Sequence, residues 1–102
     1  MGRASLAAGI LKDVEGVADN EGAYIIFYDW TTPSSNVFYL NLKILREARG
    51  DVERLQASVI QCRSLKTAAA LYRLMKHYDL KVNIFSAQEV NMDELPGKDE
   101  DR

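Results

Sequence analysis

The chain has 102 residues, of which 47% are hydrophobic and 27% are charged, and its formal net charge at pH 7 is −2. These values are typical of one globular domain with one hydrophobic core. They exclude a membrane-spanning helix, because no apolar run approaches the roughly 20 residues that a bilayer requires. With the single cysteine Cys62, no disulfide can form within the chain. We therefore expect a cytoplasmic protein without a secretory signal.

The charges are unevenly distributed along the chain. Residues 1–23 carry a net charge of −2, residues 24–92 one of +3, and residues 93–102 one of −3. The middle of the chain is therefore basic and both ends are acidic. This distribution is compatible with an anionic partner for the middle segment.

Residues 1–22 form an N-terminal extension for which two interpretations stay open. Ser5 can cap a short helix, because apolar residues follow it at steps of four, four and three: Leu6, Ile10, Val14 and Val17. A frayed arm is the alternative, since Gly16 and Gly22 weaken a helix.

Residues 24–28 are all β-branched or aromatic, and the run is too short for a helix. It predicts a central strand buried on both faces that ends at Asp29. A helix is expected next, with Thr32 as its cap, Pro33 in its first turn and Gly50 as its left-handed end. Its apolar side should carry Val37, Phe38, Ile44, Leu45 and Ala48.

Asn41 projects into that apolar side. A core asparagine that bonds to the backbone is one explanation, and a ligand contact is the other.

Two short strands are predicted around residues 53–56 and 58–62, with a bulge or tight reversal between them. Ser64 should cap a second helix over residues 65–78. The apolar side of that helix is expected to carry Leu65, Ala68, Ala69, Tyr72 and Met75.

A last strand is predicted over residues 80–85, with Val82 and Ile84 on one face. Residues 87–92 could continue as a short fifth strand. Residues 93–102 are expected to be a disordered acidic tail.

The predicted order β-α-β-β-α-β describes an α+β domain of the ferredoxin-like type, spanning residues 23–92. Its antiparallel sheet would carry both helices on one face. The other face needs cover, so we expect a homodimer.

Asp29 is the carboxylate of most interest, because it ends a buried strand between two aromatic residues. It is either a cap that accepts hydrogen bonds from the following loop, or an oxygen ligand for Mg²⁺ or Mn²⁺. Two copies of Asp29, brought together across a dimer axis, would make the better metal site. Cys62 and His77 are too few for a structural zinc site and are interpreted as core packing and a solvated side chain.

Basic residues gather around the second helix, where no acid occurs between Arg63 and Tyr78: Arg63, Lys66, Arg73, Lys76 and His77. A similar band on the preceding helix consists of Lys43, Arg46 and Arg49. These residues either contact phosphate or form ordinary solvated helix faces.

Three segments together resemble a known family. They are Tyr-Ile-Ile-Phe-Tyr-Asp-Trp-Thr at 24–31, Arg-Leu-Gln-Ala-Ser-Val at 54–59, and Cys-Arg-Ser-Leu at 62–65. In order and spacing they are similar to the Cas-two family, the small CRISPR-associated adaptation proteins. The resemblance covers roughly residues 24–90.

The resemblance implies a ferredoxin-like homodimer that lies along duplex DNA or RNA and bridges copies of a CRISPR integrase during spacer acquisition. It also implies a metal-dependent endonuclease site at Asp29, with Tyr28 beside it and Mg²⁺ or Mn²⁺ as cofactor. On the same analogy Arg54, Gln56 and Ser58 would support the interface or contact nucleic acid.

The chain differs from the family in its 22 residues before the first strand and in the uncharged segment 31–36. Without nearby arginines, phosphoryl transfer lacks charge neutralisation, so enzymatic activity stays open. Two further hypotheses are a non-enzymatic ferredoxin-like dimer that acts as an interaction or regulatory module, and a toxin-like ribonuclease.

Overall fold

A computed structural model of the protein describes residues 5–31 and 33–94. Over these residues the chain is an α+β structure with a four-stranded antiparallel sheet and three α-helices. In chain order, the elements are α1 (Leu6–Asp13), β1 (Glu21–Asp29), α2 (Asn36–Arg49), β2 (Glu53–Gln56), β3 (Val59–Ser64), α3 (Leu65–His77) and β4 (Lys81–Ala87). Thr32 and most of the predicted tail, residues 95–102, lie outside the described residues.

The sheet has the strand order β2-β3-β1-β4, with every neighbouring pair antiparallel. Ile26 of the central strand β1 lies opposite Ile60 of β3 and Ile84 of β4. This order is compatible with the ferredoxin-like arrangement. After Ala87 the described chain forms only a short 3₁₀ helix, Met92–Glu94, so the prediction of a fifth strand is wrong.

The helices cover one face of the sheet. Ile26 and Tyr28 of β1 point to that face and are 0% and 3% exposed, whereas Phe27 between them is 45% exposed. The rings of Tyr28 and Phe38 of α2 lie 6.1 Å apart in the core. In the single chain β1 is therefore buried on one face only, and the predicted burial on both faces would require cover from a second chain.

The start of α2 differs from the prediction. Ser35 is its N-cap, and the Ser35 Oγ accepts hydrogen bonds from the Val37 and Phe38 amides at 3.2 and 3.4 Å. The helix therefore begins after the segment with Pro33 rather than at it. Gly50 ends the helix with φ of 73°, the predicted left-handed conformation.

The buried faces of α2 and α3 are rotated from those predicted. Val37 and Ile44 of α2 and Tyr72 of α3 are exposed. Among the residues that α2 and α3 bury are the polar residues Asn41 and Thr67, at 6% and 0% exposure. The position of Asn41 on the apolar side was predicted. Thr67 was not, because a pattern of apolar residues cannot identify a polar residue that is buried only through specific hydrogen bonds.

Asn41 connects α2 to α1. Its Oδ1 accepts a hydrogen bond from the Ala7 amide at 2.8 Å, and its Nδ2 donates to the Val37 carbonyl at 2.9 Å. The Ala7 amide is in the first turn of α1, where backbone amides lack partners within the helix. Ser5 caps the same turn by accepting from the Ala8 amide at 3.0 Å. Both the helical interpretation of this segment and the backbone-bonded Asn41 are confirmed.

Thr67 is the centre of a second polar contact. Its Oγ1 accepts from the Arg49 Nε at 2.9 Å and donates to the Asp51 carboxylate at 2.8 Å. Arg49 also forms an ion pair with Asp19 at 3.1 Å. Arg49 thereby joins the end of α2 to the start of α3 and to the segment before β1.

Replacing Asn41 by Ala should lower the free energy of unfolding by about 1–3 kcal/mol, because the buried Ala7 amide would lose its acceptor. The exposed Asn36→Ala should stay within about 0.5 kcal/mol of the parent. Urea unfolding measures both variants, and hydrogen exchange should show faster exchange in α1 for Asn41→Ala alone. Equal stability of the two variants would contradict the assignment.

Candidate nucleic-acid surface and the site at Asp29

Asp29 is the last residue of β1 and lies directly opposite Lys81 of β4. Its side chain is exposed, and it accepts no hydrogen bond from residues 5–31 or 33–94. A shallow cleft of about 310 Å³ surrounds it, lined by Phe27, Tyr28, Asp29, Ser58, Val59, Lys81 and Asn83. The described contacts thus give no support to Asp29 as a loop cap.

The residues around Asp29 do not fit a metal ion within one chain. In the part of the chain that the structure describes, no three His, Cys, Asp or Glu side chains are close enough to hold one. Lys81, directly opposite, supplies a positive charge where a cation would bind. A hard cation prefers several oxygen ligands, and this cleft offers one carboxylate. The prediction of Mg²⁺ or Mn²⁺ at Asp29 therefore depends on a second copy of the chain.

The other residues of the predicted site meet at the turn between β2 and β3. The Tyr28 hydroxyl donates to the Ala57 carbonyl at 3.1 Å, and the Tyr28 amide donates to the Ser58 carbonyl at 3.1 Å. The Arg54 guanidinium donates to the Gln56 and Ala57 carbonyls at 3.4 and 3.1 Å. Burial raises the pKa of Tyr28, so it stays a hydrogen-bond donor. These contacts hold the turn in place beside the Asp29 cleft.

One exposed side of α3 carries four basic or titratable side chains and no acid. We call this side the α3 basic surface; it consists of Lys66, Arg73, Lys76 and His77. The solvated position expected for His77 is confirmed. The band on α2 is different, because Arg49 is held by Asp19 and Thr67, and Glu47 lies beside Lys43 and Arg46 in a shallow depression.

Arg63 does not belong to the α3 basic surface. Its amide donates to the Asp51 carboxylate at 3.0 Å, and its side chain lines a depression on the uncovered face of the sheet with Ile25 and Gln61. Arg63 belongs to β3, which ends at Ser64, whereas α3 begins at Leu65 and lies on the opposite face of the sheet. Arg63 is therefore close in sequence to the basic residues of α3 but lies on a different surface.

The face of the sheet away from the helices carries apolar side chains from all four strands. We call it the open sheet face; its apolar members are Ile25, Phe27, Leu55, Val59 and Phe85. Leu55, Phe27 and Phe85 are 43%, 45% and 55% exposed. The rings of Phe27 and Phe85 lie 5.8 Å apart, edge to face. Sequence reasoning expected an uncovered face but did not identify these residues, although strand alternation would have done so.

Cys62 lies in the core at 0% exposure, and burial raises its pKa to about 11. The thiol is therefore protonated at neutral pH and out of reach of a substrate. Its interpretation as core packing is confirmed.

No family profile, curated protein or solved structure matches the chain. Among the described residues, no helix combines the length and the apolar character needed to cross a bilayer.

Replacing Asp29 by Asn should change the free energy of unfolding by less than about 0.5 kcal/mol, because no described group depends on its charge. Tyr28→Phe should cost about 0.5–1.5 kcal/mol through loss of the bond to Ala57, and the exposed Tyr72→Phe is its matched control. Urea unfolding measures all three variants.

The same Asp29 measurement, repeated with millimolar Mg²⁺ or Mn²⁺, tests the metal hypothesis. An increase in stability that Asp29→Asn abolishes would establish a metal site. Asp29→Ala removes both carboxylate oxygens, so a loss of more than about 1 kcal/mol in that variant without metal would support the loop cap instead.

Proposed function

We propose that the protein is a dimeric nucleic-acid-binding protein similar to the Cas-two family. In this proposal a second copy covers the open sheet face, and the α3 basic surface holds the phosphate backbone of a duplex. The main support for this proposal is that the open sheet face and the α3 basic surface lie on opposite sides of the molecule. One surface can therefore be buried between subunits while the other stays free for a ligand.

The exposed side chains of the open sheet face support the dimer. Phe27 and Phe85 are in contact with each other and lie among apolar neighbours on four strands. Contiguous apolar patches on soluble proteins commonly mark interaction sites. The polar residues at the two ends of the face have both signs, with Asp29 and Lys81 at one end and Glu53 and Arg63 at the other. Such a face can be complementary to a copy of itself related by two-fold symmetry.

The charges on α3 support the nucleic-acid ligand. Lys66 is partly buried and interacts electrostatically with Asp19. Arg73 and Lys76 form no hydrogen bond or ion pair with residues 5–31 or 33–94. Their charges are therefore available to phosphates, and each contact would release condensed counterions from a nucleic acid. Side chains of this kind fix position on the backbone without reading sequence.

The surroundings of Asp29 favour binding over catalysis. One carboxylate opposite Lys81 is a weak basis for metal-dependent phosphodiester cleavage, and we derive no catalytic step from it. A site made from Asp29 of two copies, the bridging of an integrase, and a role in spacer acquisition stay hypotheses that rest on the family resemblance. A toxin-like ribonuclease has no further support in the described residues.

Dimerisation predicts a mass in sedimentation equilibrium of about twice the 11.5 kDa of the chain. Phe85→Glu should give a monomer, because it would bury a carboxylate between two apolar sheet faces. Leu40→Glu on α2 is the matched control, since Leu40 is 61% exposed on the helical side. A parent monomer at micromolar concentration, or equal behaviour of both variants, would contradict the sheet-face dimer.

Backbone binding predicts sequence-tolerant affinity for duplex DNA or RNA that weakens steeply with salt. Replacing Lys66, Arg73 and Lys76 together by Ala should reduce the slope of log K against log salt by up to about 2.7, at about 0.9 per lost phosphate contact. Fluorescence anisotropy over a salt series measures the slope.

The matched control for that variant removes the same charge elsewhere, through Lys12, Lys43 and Arg46 to Ala. If both triple variants flatten the slope equally, net charge rather than the α3 basic surface accounts for binding. Absence of binding to any duplex by the parent would favour the non-enzymatic interaction module.

A further inference from the structure

The N-terminal helix creates a groove on the helical side of the molecule. α1 packs beside α3, and between them lies an open groove of about 710 Å³. Its lining residues are Leu6, Ile10, Asp13, Ala69, Tyr72, Arg73, Lys76 and His77. This volume lies within the range of sites that bind small organic molecules.

The groove combines an apolar part with a cationic wall. Leu6 and Ile10 of α1 and Ala69 of α3 supply aliphatic surface, and Tyr72 adds an aromatic ring. Tyr72 is 44% exposed, and its ring contacts no other aromatic ring within the described chain. A planar group could therefore lie against Tyr72 without displacing an existing neighbour.

The cationic wall is compact. Arg73, Lys76 and His77 are spaced i, i+3 and i+4, so their side chains are neighbours within about one 5.4 Å turn of helix. Neither Arg73 nor Lys76 pairs with an acid among the described residues. Such a cluster fits one phosphate group better than an extended series of carboxylates. Asp13 on the opposite wall can accept a hydrogen bond from an amino or hydroxyl group.

We propose that this groove binds a single unpaired nucleotide, with the base against Tyr72 and the phosphate against Arg73 and Lys76. The bases of a duplex are stacked inside the helix, so only an overhang or a strand end can offer one to the groove. This inference rests on the proposed function and makes it more specific. The preferred ligand is a duplex with an unpaired end rather than a blunt duplex.

The experiment compares the Kd of a blunt duplex with that of the same duplex carrying a short overhang, by fluorescence anisotropy. The overhang should improve binding on the order of tenfold, the scale expected for stacking of one base on an aromatic ring. Tyr72→Phe should keep this ratio, and Tyr72→Ala should reduce it to about one. Val37→Ala, exposed on α2, is the matched control and should leave the ratio unchanged.

A second measurement separates this inference from the proposed function. AMP added to the protein should shift the NMR signals of Ala69 and Tyr72, and inorganic phosphate alone should not. If duplexes bind equally with and without the overhang and AMP causes no shifts, the groove inference is overturned while duplex binding stands. If AMP binds but no duplex does, the groove stands and the proposed function fails. Shifts caused by an acidic peptide but not by AMP would identify a peptide groove and also overturn the inference.

Discussion

The alternation of side chains between the two faces of β1 is the constraint on which the rest of the structure depends. Successive side chains of a strand point to opposite faces, and in β1 both sets are apolar. Ile26 and Tyr28 are enclosed by α2 and α3, whereas Ile25 and Phe27 lie on the uncovered side. The helices complete one core and leave apolar surface on the other side of the same strand. The proposals for a second copy and for a ligand on the helical side both follow from this asymmetry.

Much of the fold could be predicted because its signals are local. The strand at residues 24–28, the cap at Ser64 and the left-handed Gly50 are each specified by residue types within a few positions. The rotation of α2 and α3 could not be predicted in this way. It accompanies the burial of Thr67, which bonds to Arg49 and Asp51 across 18 and 16 positions of sequence. The buried position of Asn41 was predicted, but its partner, the Ala7 amide 34 positions away, was not.

Part of the candidate site could also be predicted from the sequence. Tyr28, Arg54, Gln56 and Ser58 do meet, because the pairing of β1 with β3 brings the turn after β2 against the end of β1. The side chains of Tyr28 and Arg54 donate to backbone carbonyls, and Gln56 and Ser58 take part through their own carbonyls. Residue types alone do not distinguish these structural roles from ligand binding. Arg49 and Arg63 were grouped with other bases by sequence, but one is held in an ion pair and the other lies on the opposite face.

The attachment of α1 has a consequence for the order in which parts of the protein open. A helix of eight residues is too short to be stable alone in water, so α1 persists only while docked. Its docking depends on Ala7, Ile10 and Val14 in the core and on the bond to Asn41. A segment whose helical structure depends on docking can unfold locally at a lower free energy than the whole domain. α1 is thus the segment whose release would expose α2 and α3 while the sheet stays intact, and any molecule that bridges α1 and α3 would shift that equilibrium towards the docked form.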